Sequence, residues 1–249
     1  MKTYRAVLFD LFGTVALFDW ERLPLFVWNG QTSRSTMGGL RPVIEQKVPT
    51  VPFDRFFTAL SEVSAELAEA RARELREFSS PHRFTLALTR AGLGDCAATH
   101  GLAEELSLAH MGFLSAVTTV PPAHLALLAQ VCKQYKVALV SNFDHAPTAR
   151  RILQQSGSAR YFHHVAISDE HTWRKPHPKI FTDALAALEV EPEEALFVGD
   201  SPGDDIAGAK GVGMDVAWVN AQGAHLPASV PPPEHIVQAI PQLHPILFP

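Results

Sequence analysis

Ala6-Val7-Leu8-Phe9-Asp10-Leu11-Phe12-Gly13-Thr14 is a short apolar run that ends in an acid and a glycine turn. A strand that is apolar at every position is buried on both faces, as in a parallel sheet with helices on either side. Similar runs recur at Val137-Ala138-Leu139-Val140, Val165-Ala166-Ile167, Ala195-Leu196-Phe197-Val198 and Val216-Ala217-Trp218-Val219. Helical patterns lie between them near residues 146–156, 178–188 and 204–211. Strands alternating with helices predict an α/β fold with a doubly wound parallel sheet, whose ligands gather outside the carboxyl ends of the strands. Asp10, Ser141 and Asp200 each fall at such an end, and this shared position says more than any of them alone.

Working outward, the stretch from 16 to 119 has a different character. Phe53, Phe57, Leu60, Val63 (or Ser64) and Leu67 follow helical spacing, as do Leu102, Leu106, Met111 and Leu114. Residues 1–15 and 120–249 are therefore expected to form the core, with residues 16–119 as a helical insertion after the first strand. Pro24, Gly30, Gly38, Gly39, Pro42 and Pro49 break any regular period over residues 18–50, which read as a long irregular segment. The tail, with Pro231-Pro232-Pro233 ahead of Ile236 to Leu247, reads as a linker and a closing helix bent at Pro241 and Pro245.

Bulk properties remove several classes of function. The 249 residues carry 21 Lys and Arg against 26 Asp and Glu, a formal charge of −5, with the basic residues scattered. This argues against a nucleic-acid or anionic-membrane surface. No apolar run approaches the roughly 20 residues that span a bilayer. The first apolar stretch contains Asp10 and lacks a small-residue cleavage site, so it reads as a strand and not a signal peptide. Cys96 and Cys132 show no metal-type spacing, and the default expectation is a reduced, cytoplasmic protein.

Four motifs in order resemble those of the haloacid dehalogenase (HAD) superfamily of hydrolases. They are Phe9-Asp10-Leu11-Phe12-Gly13-Thr14-Val15, Val140-Ser141-Asn142, Lys175-Pro176-His177-Pro178-Lys179-Ile180-Phe181, and Val198-Gly199-Asp200-Ser201-Pro202-Gly203-Asp204-Asp205-Ile206-Ala207-Gly208-Ala209. The likeness covers residues 1–15 and about 136–220, while the insertion matches only in position and helical character. It implies a Rossmann-like core with a helical cap. It also implies hydrolysis of a small phosphorylated substrate through an aspartyl ester on Asp10.

Chemistry supports the same reading. A carboxylate nucleophile splits one difficult hydrolysis into two easier steps. A phosphate dianion repels that carboxylate, so a cation is needed between them, and Mg²⁺ commonly binds one or two carboxylates plus phosphate oxygens. By resemblance the ligands of Mg²⁺ are Asp10, the backbone carbonyl of Phe12, Asp200 and Asp205, with Asp204 as the neighbouring candidate for the last. Lys175 is expected to hold Asp10 in line and offset developing charge, while the Ser141 hydroxyl and the Asn142 N–H receive phosphate oxygens.

Each residue also has a plainer reading. Isolated Asp residues are common caps, and Asp144 reads as the N-cap of the helix that follows it. His145 suits proton transfer by type, but histidine is abundant in this stretch. Trp20, Trp28, Arg34 and Arg41 lie in the irregular segment, where the resemblance places a flap and arginine suits anionic groups; individually they read as ordinary surface charge and partly buried aromatics.

Phe12 departs from the phosphatase pattern, in which a second Asp protonates the leaving oxygen and then activates water. Such acid–base help is worth typically ~10²–10⁴ in rate. Three functions follow: a Mg²⁺-dependent phosphohydrolase without that acid, a metal-free 2-haloacid dehalogenase (which carries an aromatic residue here), or a weakened protein that binds a phosphorylated ligand or a protein partner. Asp200 favours the first, because an extra buried carboxylate with no cation would be costly.

Overall fold

The computed structural model describes residues 3–249, which divide into two compact units. One comprises residues up to Leu17 together with Thr119–Pro249, and the other is Phe18–Thr118.

The first unit is built on a six-stranded sheet. Its strands are β1 (Ala6–Phe9), β2 (Lys136–Ser141), β3 (His164–Ile167), β4 (Ala195–Gly199), β5 (Asp215–Val219) and β6 (His235–Val237). They lie in the order β6-β5-β4-β1-β2-β3, and every pairing is parallel. The alternation of side chains across the pleat explains why the runs are apolar throughout. Val7, Phe9, Leu139 and Val198 join one core cluster with the helices Pro122–Val131 and Ala146–Gln155. Ala6, Leu8, Val140 and Phe197 join another with the helix Pro178–Leu188. Each fully buried Leu or Phe contributes roughly 1.5–3 kcal/mol of transfer free energy, so neither face could carry polar residues cheaply.

The chain winds from β1 outward through β2 to β3, then returns to the other side of β1 for β4, β5 and β6. The reversal lies between β1 and β4, where a doubly wound sheet opens its crevice. Asp10 follows β1 and Asp200 follows β4, so the two acids flank that crevice.

Two expectations for this unit need correction. The tail does not form one bent helix: Ile236 lies in β6, which pairs with β5, and only short turns follow at Ile240–Leu243 and His244–Leu247. Ile236 has no helical partner to cover it and stays exposed, while Val237 and Ile240 supply the buried contacts. Asp144 is also not the N-cap of Ala146–Gln155. His145 holds that position, and Asp169 Oδ2 accepts from the Ala146 N–H at 2.8 Å.

The second unit is mainly helical, with Thr36–Lys47, Phe53–Glu74, Ser80–Arg90 and Ala97–Ala116. Residues 18–50 are far more regular than their glycines and prolines imply, since Leu25–Trp28 and Gln31–Arg34 pair as an antiparallel hairpin ahead of Thr36–Lys47. Gly38 and Gly39 are packing contacts and not breaks. A Cβ at Gly38 would lie 2.2 Å from the Leu25 carbonyl oxygen, and one at Gly39 would lie 2.0 Å from the Phe113 ring. Phe56, not Phe57, is the fully buried aromatic of its helix, and Phe57 instead packs edge-on to Trp28 at 4.6 Å.

Candidate active site

The loop after β1 is shaped to present Asp10. The Asp10 N–H donates to the Val198 carbonyl at 2.8 Å, continuing the ladder to β4 by one residue. The chain then turns back, with Gly13 N–H donating to Ala16 O at 2.8 Å and Ala16 N–H to Leu11 O at 2.7 Å. Gly13 has φ +84°, and a Cβ there would stand 2.3 Å from Asp200 Oδ2. Both the backbone conformation and the space demand glycine.

The loop after β4 carries the other acids. Ser201 Oγ accepts from Asp204 N–H at 3.3 Å, and Asp205 Oδ2 accepts from Ser201 N–H at 2.9 Å. These reciprocal bonds close the start of a π-helical turn over Pro202–Ile206, a wide turn often met at functional sites. A Cβ at Gly199 would fall 2.4 Å from the Asp205 carboxyl, so this glycine makes room for the acid. Trp218 Nε1 on β5 donates to the Asp200 carbonyl at 3.0 Å and fixes the backbone that presents its side chain.

Lys175 joins the two loops. Its ammonium lies 2.5 Å from Asp10 Oδ1 and 2.7 Å from Asp205 Oδ1, with all three side chains buried. It also sits 5.4 Å from the Phe197 ring centroid, a favourable place for a desolvated cation. Carboxylate oxygens of Asp10, Asp200 and Asp205 all lie within 4.8 Å of one another. Burial is the largest influence on Asp10 and pushes its carboxyl upward, with Asp205 and Asp200 adding to the rise and Lys175 opposing it. Asp200 is pushed up to about 6, mainly by burial and then by Asp205. Against its own burial, Asp10 and Asp205 hold the Lys175 ammonium firmly protonated. One lysine thus serves three crowded carboxylates, leaving a surplus of negative charge that a divalent cation would relieve.

Around this cluster is a cavity of about 190 Å³, lined also by Phe12, Asn142, Arg174, Ser201 and Asp204. Asn142 has a use its motif does not reveal. Its Nδ2 donates to Lys175 O at 2.9 Å and Asp204 Oδ2 at 3.1 Å, while its Oδ1 accepts from Lys175 N–H at 2.7 Å. Asp204 is therefore tied to Asn142, and Asp205 joins Asp10 and Asp200. The Ser141 and Thr14 hydroxyls are buried and find no hydrogen-bond partner among the described residues, and a buried orphan hydroxyl calls for an explanation such as a ligand. Arg174 was not singled out from the sequence. Its place beside Lys175 was the available signal, because it brings a second cation to the same loop.

Other sequence candidates lie elsewhere. His145 is buried with Nδ1 2.9 Å from Thr148 Oγ1. In the helical unit, Arg41 stacks over Phe53 at 4.3 Å, Arg34 donates to Leu23 O at 2.9 Å, Trp28 packs on Phe57, and Trp20 lies tilted against Phe18 at 4.7 Å. Each has a packing role inside that unit.

The chain is similar to several known proteins. The haloacid dehalogenase-like hydrolase domain-containing protein 3 of Bos taurus is 31% identical over 205 residues, 76% of this chain and 79% of that protein. A glyceraldehyde 3-phosphate phosphatase of Pyrococcus furiosus is 41% identical over 99 residues, 40% of this chain. That match spans only 41% of the phosphatase's own length. In fold, a solved 2-haloacid dehalogenase from Pseudomonas syringae pv. Tomato DC3000 aligns over 99% of this chain and 98% of its own, with TM-score 0.76 and 24% identity. A sequence profile of the haloacid dehalogenase-like hydrolases matches residues 4–213, and with the doubly wound core and its facing acidic loops, the chain belongs to that hydrolase family.

Proposed function

We propose that this hydrolase is a Mg²⁺-dependent phosphohydrolase acting on a small phosphorylated metabolite through an aspartyl-phosphate on Asp10. The observation that carries the reading is the set of three carboxylates within 4.8 Å, served by one buried lysine. Charge and donor type fit Mg²⁺: all-oxygen, anionic and crowded. Asp10, Asp200 and Asp205 would hold it, with the Phe12 carbonyl as a fourth ligand. When bound, the ion screens the incoming phosphate from the carboxylates and stabilises charge on the transferring group.

The chain's own residues supply the rest. Asp10 attacks phosphorus, and Lys175, 2.5 Å from Asp10 Oδ1, keeps that carboxylate oriented. The buried Ser141 hydroxyl gains a phosphate oxygen as partner. Asn142 locks the Lys175 loop to Asp204 and so holds the cavity's shape. Residues 16–119 serve as the cap insertion and residues 1–15 with 120–249 as the hydrolase core. Phosphatase-named relatives such as the Pyrococcus furiosus protein support the substrate class. Cys96 and Cys132 are free thiols, in keeping with a cytoplasmic setting; among the described residues no helix is long and apolar enough to cross a membrane.

Phe12 on the cavity wall favours one second reading, metal-free dehalogenation of a 2-haloacid by Asp10. Purified protein offered phosphate esters, acyl phosphates and 2-haloacids, with Mg²⁺ or EDTA, separates the two. Phosphate release that requires Mg²⁺ and vanishes in Asp10→Asn is the expected result. Halide release insensitive to EDTA would replace it with the dehalogenase.

A further inference from the structure

We infer that the phosphorylated substrates of this site are acyl and aryl phosphates, whose leaving groups depart as stable anions, and not phosphate esters of simple alcohols. This rests on the phosphohydrolase reading and adds the kind of bond that is cut.

Phe12 is a fixed wall of the cavity. Its ring packs on Phe143 with centroids 4.6 Å apart and planes at 47°. Phe143 is pinned in turn, its N–H donating to Ser168 Oγ at 2.9 Å and its carbonyl accepting from the same hydroxyl at 3.3 Å. Both rings pack against the apolar cluster on that side of the sheet. The position therefore holds apolar surface where a proton donor would otherwise stand.

The other groups lining the cavity already have partners or assigned tasks. Asp10 is the nucleophile, and Asp200 and Asp205 face the proposed cation. Asp204 accepts from Asn142 Nδ2, and the Ser201 hydroxyl oxygen accepts from Asp204 N–H. Lys175 is held by two carboxylates, and an arginine such as Arg174 does not give up its proton in proteins. The nearest histidines in sequence are engaged away from the cavity. His145 meets Thr148, and His177 stacks on Trp173 at 3.9 Å while its Nδ1 accepts from Lys179 N–H at 3.1 Å.

The electron balance then selects the substrate. An Asp10 oxygen–phosphorus bond forms as the phosphorus–oxygen bond to the leaving group breaks, and the electron pair goes to the leaving oxygen. A carboxylate or phenolate carries that pair without a proton, whereas an alkoxide needs one. Water then attacks phosphorus and passes a proton to a phosphoryl oxygen, the Asp10 oxygen–phosphorus bond breaks with its electron pair returning to the Asp10 carboxylate, and inorganic phosphate leaves with the water's oxygen. A flat acyl or aryl group also suits an aromatic wall.

The test measures kcat/KM with Mg²⁺ for acetyl phosphate, 4-nitrophenyl phosphate, phenyl phosphate and glycerol phosphate, in the natural protein and in Phe12→Asp and Phe12→Leu. The natural protein should lose ~10²–10⁴-fold from the acyl to the alkyl substrate, the usual worth of a general acid. Phe12→Asp should recover much of that loss on glycerol phosphate and little on acetyl phosphate, and Phe12→Leu should keep the steep fall. Turnover of glycerol phosphate within about tenfold of acetyl phosphate by the natural protein would overturn the inference while leaving the phosphohydrolase reading intact. Equal gains on both substrates in Phe12→Asp would also overturn it. Phosphate release from none of the four would remove the phosphohydrolase reading, and this inference with it.

Discussion

Lys175 is the residue whose loss the site can least absorb. Its ammonium is buried between Asp10 and Asp205, so Lys175→Met leaves two buried carboxylates without their cation. Removing one partner of such a pair typically costs ~3–5 kcal/mol, far more than the pair contributes net. Urea denaturation should show a loss of that order, and Asp10→Asn in the same chain should restore part of it; no recovery would mean the two charges are not coupled. Asp200 gives a prediction in pH. Its folded value of about 6 lies above the ordinary carboxylate range, so ionising it in the absence of metal destabilises the fold. With the folded state binding the extra proton, this contribution improves as pH falls through about 6 toward the unfolded value near 3.9. Compared with Asp200→Asn, the metal-free natural protein should therefore gain stability on acidification through that window, and Mg²⁺ should stabilise it at pH 7.5 much more than at pH 5. A flat difference between the two proteins would contradict the crowding of charge described above. Asp10, Ser141 and Asp200 stood out in the sequence because each follows a strand end, and Lys175 because of the motif around it, while the choice between Asp204 and Asp205 stayed open. The lock made by Asn142 and the approach of Arg174 did not stand out, because each depends on how two loops from different strands meet.

At the scale of elements, glycine meant different things in the two units. In the core, Gly13 in its turn and Gly199 at the end of β4 mark places where a carboxylate comes close. In the helical unit, Gly38 and Gly39 looked like breaks but let a helix lie against a hairpin and an aromatic ring. Gly38→Ala would drive a methyl to 2.2 Å from the Leu25 carbonyl, a backbone atom that cannot rotate away. Overpacking of this kind costs ~1–3 kcal/mol, and thermal unfolding should show it in the helical unit's transition; an unchanged midpoint would show that the hairpin is not held against that helix. The tail misled for a related reason. A three-residue strand such as His235–Val237 carries too little periodicity to be told from a helix, and only pairing with β5 defines it.

For the whole molecule, the two units have separate cores. The insertion leaves and re-enters side by side, with Asp19 N–H donating to Val117 O at 2.8 Å, and its apolar cluster is drawn from its own four helices and hairpin. Residues 18–118 made as a separate chain should therefore fold cooperatively with helical circular dichroism, whereas a non-cooperative melt would show that this core needs the rest of the protein. By itself the sequence determined the doubly wound core and the residues at its strand ends, because parallel strands buried on both faces write themselves as continuous apolar runs. Resemblance to the family's first motif put Phe12 where its phosphatases carry a second acid. Tertiary structure alone decided that Asp205, and not Asp204, meets Asp10 and Asp200, and that Phe12 is braced by Phe143. The physical reason is range: burial on a strand is a local pattern, but crowding of charges and packing of rings arise between segments more than a hundred residues apart.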